Sequence, residues 1–132
     1  MGATVFTCGL DAALAVIGGK WKPLILFHLA HGSRRYGELR RAVGHVSDKM
    51  LIQQLKELLG DGIIDRLDHQ EIPPRVEYSL TRFGKTLARA LAPLCAWGVE
   101  HESHVAKVMS RRGGRGTQVR ARTRRGGPSL TS

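Results

Sequence analysis

The side chains best suited to binding chemistry lie in the stretch SDKMLIQQLKELLGDG, which begins at Ser47. Its apolar positions recur at helical spacing and define one face: Leu51, Leu55, Leu58 and Leu59. On a helix that buries this face, Lys49, Gln53 and Lys56 point outward as cations and an amide, without an acid. Lysine suits phosphate or guanine and glutamine suits the adenine edge, so this face could read nucleic acid. An ordinary solvated helix face explains the same residues equally well.

Nucleophiles and metal ligands are too scattered to form a catalytic or metal site. Cys8 and Cys95 lie far apart and no Cys-x-x-Cys pair exists, so neither a disulfide framework nor a zinc site is expected. We expect Cys95 to be a packed thiol beside Trp97. His28 and His31 have i, i+3 spacing, but the sequence places no third ligand. Because nucleotide-binding and hydrolase motifs are also missing, we predict no enzyme, no cofactor and no metal.

Charge is concentrated at one end of the chain. The net charge is +10, but seven arginines lie in residues 110–132, where there is no acid. We predict that this Arg- and Gly-rich tail is disordered, and that it either strengthens DNA binding non-specifically or merely solubilises the chain. Apolar runs are too short to span a bilayer and the start lacks a signal-peptide pattern, so we expect no membrane partner and a cytoplasmic location.

Helical and alternating patterns follow each other in an order that predicts the fold. The predicted elements are helices at 9–17 and from about 20 to 31, the short helix RRYGELRRAV, the helix after Ser47, strands at 63–69 and 76–80, and a long helix from Thr81 to about Met109, kinked at Pro93. Two short helices, a tight turn and a β-hairpin predict a winged helix-turn-helix in an α+β, mainly α, domain over residues 1–109. The last helix has more apolar surface than a small core can cover, which favours a partner chain.

The segment HQEIPPRVEYSLT, residues 69–81, is the predicted wing. Pro73 and Pro74 stiffen its tip, where their missing N–H groups cost no strand pairing. Arg75 follows this rigid corner, so we expect it to be presented to a partner with little loss of side-chain entropy.

Four arginines flank the short helix that precedes the turn: Arg34, Arg35, Arg40 and Arg41. In a helix-turn-helix this helix crosses the DNA backbone, so some of these arginines are expected to contact phosphate. Single arginines also often serve only to solubilise a surface, and that alternative stays open.

Three segments, CGLDAALAVIGGKWKPLIL, YGELRRAVGHVSDKMLIQQLKELLGDGII and PPRVEYSLTRFGKTL, resemble the HxlR family of bacterial winged-helix transcription regulators. The resemblance covers about Cys8 to Glu102. It implies a homodimer, built by the first and last helices, that binds near-palindromic double-stranded DNA. It also implies a recognition helix at 47–58 and a wing tip at 70–75.

The resemblance also implies a role for Cys8. Several HxlR-like regulators carry a cysteine just before the first helix that senses electrophiles or oxidants, and Cys8 occupies that place. A thiol near a helix N-terminus has a lowered pKa, because the thiolate is favoured there. Gly9 stands where family members typically have a proline, and the alternative is that Cys8 is a small buried hydrophobe or a relic position without a role.

We therefore predict a DNA-binding regulator, by default a repressor that occludes its operator, with half-sites ~34 Å apart. The predicted DNA-contacting residues are Arg34, Arg35, Arg40, Ser47, Asp48, Lys49, Gln53, Gln54, Lys56 and Arg75. The alternative is a winged helix that binds RNA or a protein partner without operator specificity.

Overall fold

The computed structural model describes residues 6–113 of the chain. Its elements, in order, are α1 (Gly9–Ile17), α2 (Trp21–Leu29), β1 (Arg34–Arg35), α3 (Tyr36–Val43), α4 (Asp48–Gly60), β2 (Ile64–Asp68), β3 (Val76–Leu80), α5 (Arg82–Glu100) and α6 (Glu102–Gly113). The chain divides into two compact units, with the boundary between Ala92 and Pro93. The succession of α3, α4 and the β2–β3 hairpin confirms the predicted winged helix-turn-helix.

The wing is part of a three-stranded antiparallel sheet with the order β1-β3-β2. In the hairpin, Ile64 pairs with Leu80 and Asp68 with Val76. The third strand, β1, corrects the prediction that RRYGELRRAV is wholly helical, because its two arginines pair with β3 and the helix starts only at Tyr36. A two-residue strand has no periodicity of its own, so only its pairing with distant β3 defines it.

The core of the first unit forms where α2, α3, α4 and the sheet meet. The leucine stripe predicted for α4 is confirmed, since Leu51, Leu55 and Leu58 are almost fully buried. They pack in one cluster with apolar residues of the neighbouring elements: Ile25, Leu26, Leu29, Leu39, Ile63, Ile64, Tyr78 and Leu80. The buried stripe turns the opposite face of α4 to solvent, which positions the candidate reading residues.

Thr81 caps α5, as predicted, and joins it to the end of α4. Its hydroxyl oxygen accepts a hydrogen bond from the Gly84 N–H at 2.9 Å and donates to the Gly62 carbonyl oxygen at 2.7 Å. Gly84 packs directly on the backbone of Ile63, where an added Cβ would lie 2.0 Å from the carbonyl oxygen. The capping threonine and the missing side chain together let α5 start against the root of the wing.

The last helical segment differs from the prediction in three respects. A single long helix is wrong, because α5 ends at Glu100 and α6 begins at Glu102, although the His101 N–H still donates to the Trp97 carbonyl at 3.0 Å. The packed thiol expected at Cys95 is also wrong, since this cysteine is exposed. α6 extends to Gly113 rather than ending near residue 109. The rest of the predicted disordered tail, residues 114–132, lies outside the described residues.

Helix α1 exposes most of its predicted apolar face. Leu10 is 67% exposed and Leu14 51% exposed, whereas Ile17 is buried. Within residues 6–113, no single helix is long and apolar enough to cross a membrane. α1 and α2 reach that length only as a pair, and the two are bent by 84°.

Candidate nucleic-acid interface

The first turn of α4 is organised by two polar side chains. The Ser47 hydroxyl caps the helix by accepting a hydrogen bond from the Met50 N–H at 3.1 Å. The Asp48 carboxylate accepts a hydrogen bond from the Tyr36 hydroxyl at 2.5 Å and pairs with Nε of Arg40 at 2.8 Å. These contacts tie α3 to the N-terminus of α4 across the turn. Ser47, Asp48 and Arg40, all predicted as DNA contacts, therefore hold the helix in place in the free protein.

Tyr36 remains a neutral donor in this cluster. Burial, reinforced by the hydrogen bond to Asp48 and by its negative charge, raises the pKa of Tyr36 to about 12. The phenol therefore keeps its proton throughout the physiological range, and the bond to Asp48 persists.

The outer face of α4 carries the predicted reading residues. Lys49, Gln53 and Lys56 are exposed, and neither lysine makes an ion pair within residues 6–113. Gln54 is half-buried and its amide lies 3.5 Å from the Met50 sulfur, so it is less available than predicted. Two cations and one amide on an exposed helix face suit phosphate and base edges.

The expectation that this face lacks an acid is wrong. Gln53 donates a hydrogen bond from Nε2 to Oε2 of Glu57 at 3.4 Å. The other carboxylate oxygen, Oε1, lies 2.5 Å from the ammonium of Lys22 in α2, a lysine that is only 9% exposed. The hydrogen bond from Lys22, and then that from Gln53, lower the pKa of Glu57, so the carboxylate stays ionised. Sequence reasoning missed this link because Lys22 lies within the largely apolar segment WKPLILFHL of a different helix.

Arg75 is placed differently from the prediction that the wing presents it to a partner. Its guanidinium lies 2.9 Å from the Glu71 carboxylate and 3.4 Å from that of Glu77, and its side chain is only 29% exposed. Nη2 is also 3.1 Å from Nδ1 of His69. Arg75 therefore joins the two arms of the wing. The wing tip exposes the side chain of Ile72, which is 99% exposed, rather than that of Arg75.

A cation that the sequence analysis did not select lies in the groove between α4 and the wing. Arg66 of β2 and Lys56 of α4 line a cavity of about 510 Å³ with an apolar floor: Tyr36, Ile52, Leu55, Leu59, Val76 and Tyr78. Arg66 is exposed and makes no ion pair in the part of the chain that the structure describes. Its place in the 63–69 strand was the only available signal. Two unpaired cations beside a groove suit a DNA phosphate.

The two arginines before α3 differ in how far they are exposed. Arg34 is half-buried and donates from Nε to the His28 carbonyl at 3.4 Å, whereas Arg35 is exposed. The Arg35 backbone N–H donates to the Glu38 carboxylate at 2.9 Å, which closes the first turn of α3. Of the two, Arg35 is the better placed to reach a phosphate.

Cys8 lies at the N-cap position of α1 and is exposed, so it is not a small buried hydrophobe. Hydrogen bonds from the backbone N–H groups of Asp11 and, to a smaller extent, Leu10 lower the pKa of its thiol. A larger fraction of this thiol is therefore ionised at neutral pH than of an ordinary exposed cysteine.

His28 and His31, the pair with i, i+3 spacing, both lie edge-on to the Phe27 ring. His31 donates from Nδ1 to the Phe27 carbonyl at 3.0 Å and stands edge-on to the Phe27 ring. Burial, and then the positive charge of Arg34, lower the pKa of His28. Across residues 6–113, no three metal-ligating side chains come close enough to hold an ion.

A helix-turn-helix with an exposed basic face, followed by a hairpin and a cationic groove, defines a winged-helix DNA-binding protein. The family model described as HxlR-like helix-turn-helix matches residues 16–106. The chain belongs to this family, as the sequence resemblance implied.

Relatives of known sequence or structure agree with this assignment. The HTH-type transcriptional regulator YtcD of Bacillus subtilis is 47% identical over 100 residues, covering 76% of this chain and 79% of YtcD. The redox regulator HypR in its oxidized form is 42% identical with a TM-score of 0.67, covering 70% of this chain and 96% of HypR. Diamide-treated YodB from B. subtilis is 32% identical with a TM-score of 0.59, covering 71% of this chain and 94% of YodB.

The protein is thus a DNA-binding transcriptional regulator of the HxlR type. The predictions that it regulates transcription and is not an enzyme are confirmed by the family and by these relatives. The same relatives give no support to the alternative of an RNA- or protein-binding module.

Proposed function

We propose that the protein is a homodimeric repressor that binds a near-palindromic operator and occludes it. The observation that carries this proposal is the exposed face of α4, which carries Lys49, Gln53 and Lys56. Lys56 also lines the groove that holds Arg66. α4 would enter the major groove, and Arg35 and Arg66 would contact the flanking phosphates.

A footprint with the purified full chain tests operator binding. We expect protection of two half-sites about one helical turn, ~34 Å, apart on one face of the duplex. Specific binding should exceed binding to random DNA by about 10³-fold or more. Equal binding to every duplex would contradict an operator-specific regulator, and activation instead of repression in a reporter assay would contradict occlusion.

Exposed apolar side chains support dimerisation through the first and last helices. Leu10 and Leu14 project from α1, and in the second unit Leu94, Trp97 and Val99 are each more than half exposed. Patches of this kind commonly mark interfaces, because burying them removes apolar area from water. Light scattering should give the mass of a dimer, and Leu14→Glu or Trp97→Glu should shift it towards the monomer. A wild-type monomer at micromolar concentration would contradict the proposal.

We further propose that Cys8 makes DNA binding sensitive to oxidants or electrophiles. Its exposed, more acidic thiol supports this, as do relatives described as a redox regulator and as diamide-treated. Diamide should release wild-type protein and Cys95→Ser from the operator but leave Cys8→Ser bound. Equal release of Cys8→Ser would refute a sensing role for this thiol.

We also propose that the protein is located in the cytoplasm, because its proposed partner is operator DNA.

Gly9 stands in place of the proline that the family resemblance implies. A glycine leaves the backbone at the start of α1 less constrained than a proline would.

A further inference from the structure

Lys22 is a buried charge that the fold alone does not require. It lies in α2, is 9% exposed, and its ammonium contacts Oε1 of Glu57 in α4. An ammonium withdrawn from water needs a close anionic partner, and an apolar residue of similar size would pack here without one. The pair therefore fixes the Glu57 carboxylate at a defined place on the recognition helix.

The second oxygen of this carboxylate contacts a reading residue. Oε2 of Glu57 accepts a hydrogen bond from Nε2 of Gln53, one helical turn earlier, at 3.4 Å. An ionised carboxylate can only accept hydrogen bonds, so it selects the NH₂ end of the amide over the carbonyl end. Lys22, Glu57 and Gln53 thus form a chain that leads from the core to the outer face of α4.

We propose that Glu57, held by Lys22, is a positioning residue that orients the Gln53 carboxamide for reading a base. With one N–H committed to Glu57, the amide retains one N–H and its carbonyl oxygen. These are the donor and the acceptor that the N7 and N6 groups of adenine require. This inference rests on the proposed operator binding and adds how one position of the operator is discriminated.

A purely structural ion pair would have different consequences. If Lys22 and Glu57 only join α2 to α4, breaking the pair lowers stability and weakens binding to all duplexes alike. If Glu57 orients Gln53, breaking the pair reduces discrimination at one base position. Discrimination between bases is therefore the informative readout, whereas affinity alone is not.

The experiment uses the full chain and the operator identified by footprinting. The base read by Gln53 is defined as the operator position at which Gln53→Ala no longer prefers one base over the others. For a contact of two hydrogen bonds, we expect this loss of preference to be about tenfold in affinity. Binding is then measured for all four bases at this position and for a random duplex. The variants are Glu57→Gln, which removes the charge, and Glu57→Asp, which keeps the charge and shortens its reach.

Asp61→Asn serves as the matched control. Asp61 is an exposed acid directly after α4, and its side chain makes no hydrogen bond or ion pair within residues 6–113. It reports what the loss of one negative charge near the same helix does to DNA binding in general.

We expect Glu57→Gln and Glu57→Asp to reduce discrimination at the Gln53 position by about threefold or more, a part of the tenfold contact. Discrimination at other positions should be unchanged, and Asp61→Asn should keep the wild-type value. In a Gln53→Ala background, Glu57→Gln should cause no further loss.

Three results would overturn the inference. They are wild-type discrimination in both Glu57 variants, an equal loss on every duplex, and an undiminished effect of Glu57→Gln in the Gln53→Ala background. A wild-type protein without any operator preference would instead refute the proposed function, and this inference with it. Failure of this inference and failure of the proposed function are distinguishable, because the three results above can be obtained only if the wild-type protein prefers its operator.

Discussion

Replacing Arg75 with alanine tests whether the wing arginine binds DNA or only stabilises the wing. In the structure its charge is shared between Glu71 at 2.9 Å and Glu77 at 3.4 Å. Partly exposed ion pairs of this kind contribute about 0.2–1 kcal/mol each. Arg75→Ala should therefore lower the free energy of unfolding by about 1 kcal/mol. For a domain of this size, this corresponds to a decrease in Tm of roughly 5 °C.

The effect on DNA binding separates Arg75 from Arg66, its unpaired neighbour on the same hairpin. Each phosphate contact contributes about −0.9 to the slope of log Kobs against log salt concentration. Arg66→Ala should make this slope less negative by about 0.9, whereas Arg75→Ala should leave it unchanged. The slopes are measured by fluorescence anisotropy on the operator over a series of salt concentrations.

The double variant Arg75→Ala, Glu71→Gln separates the loss of a phosphate contact from repulsion of DNA by uncompensated carboxylates. Arg75→Ala alone leaves Glu71 and Glu77 uncompensated, and their charge would repel DNA without any lost contact. The double variant removes one positive and one negative charge together, so we expect operator affinity close to that of the wild type. A slope change of about 0.9 in this variant would show that Arg75 leaves its carboxylates to bind a phosphate, and would refute the reasoning.

Gly84→Ala should destabilise the protein by about 1–3 kcal/mol, because its Cβ would lie 2.0 Å from the Ile63 carbonyl oxygen. Gly60→Ala, with nothing within 4 Å, is the control in urea unfolding, and equal stability of the two variants would contradict this packing. Because its pKa is lowered, Cys8 in a Cys95→Ser background should react with iodoacetamide half-maximally at a lower pH than free cysteine does. A profile like that of free cysteine would count against an activated thiol. Deleting residues 114–132 removes five arginines, and each one that contacts phosphate should make the salt slope less negative by about 0.9. An unchanged slope would assign the tail a solubilising role only.

The secondary structure was predictable because periodicity is a local property of the sequence. The leucines of α4 recur at helical spacing, and the alternation after Pro74 predicted β3 within its observed bounds. The same spacing indicated which side of α4 faces solvent. β1 and the break at His101 were missed, since neither leaves a periodic signal.

The state of each charge was decided by the tertiary structure. Arg75 and Arg66 look equivalent in the sequence, but one is enclosed by two carboxylates and the other lines an open groove. The contact of Lys22 with Glu57 joins residues from different helices, so no local sequence pattern indicates it.

The sequence by itself therefore determined the fold class, the family and the outward face of α4, because these depend on spacing along the chain. Only the folded structure decided which cations of residues 6–113 are held in ion pairs and which are not. Ion pairing depends on distances of a few ångströms between side chains that the sequence keeps apart.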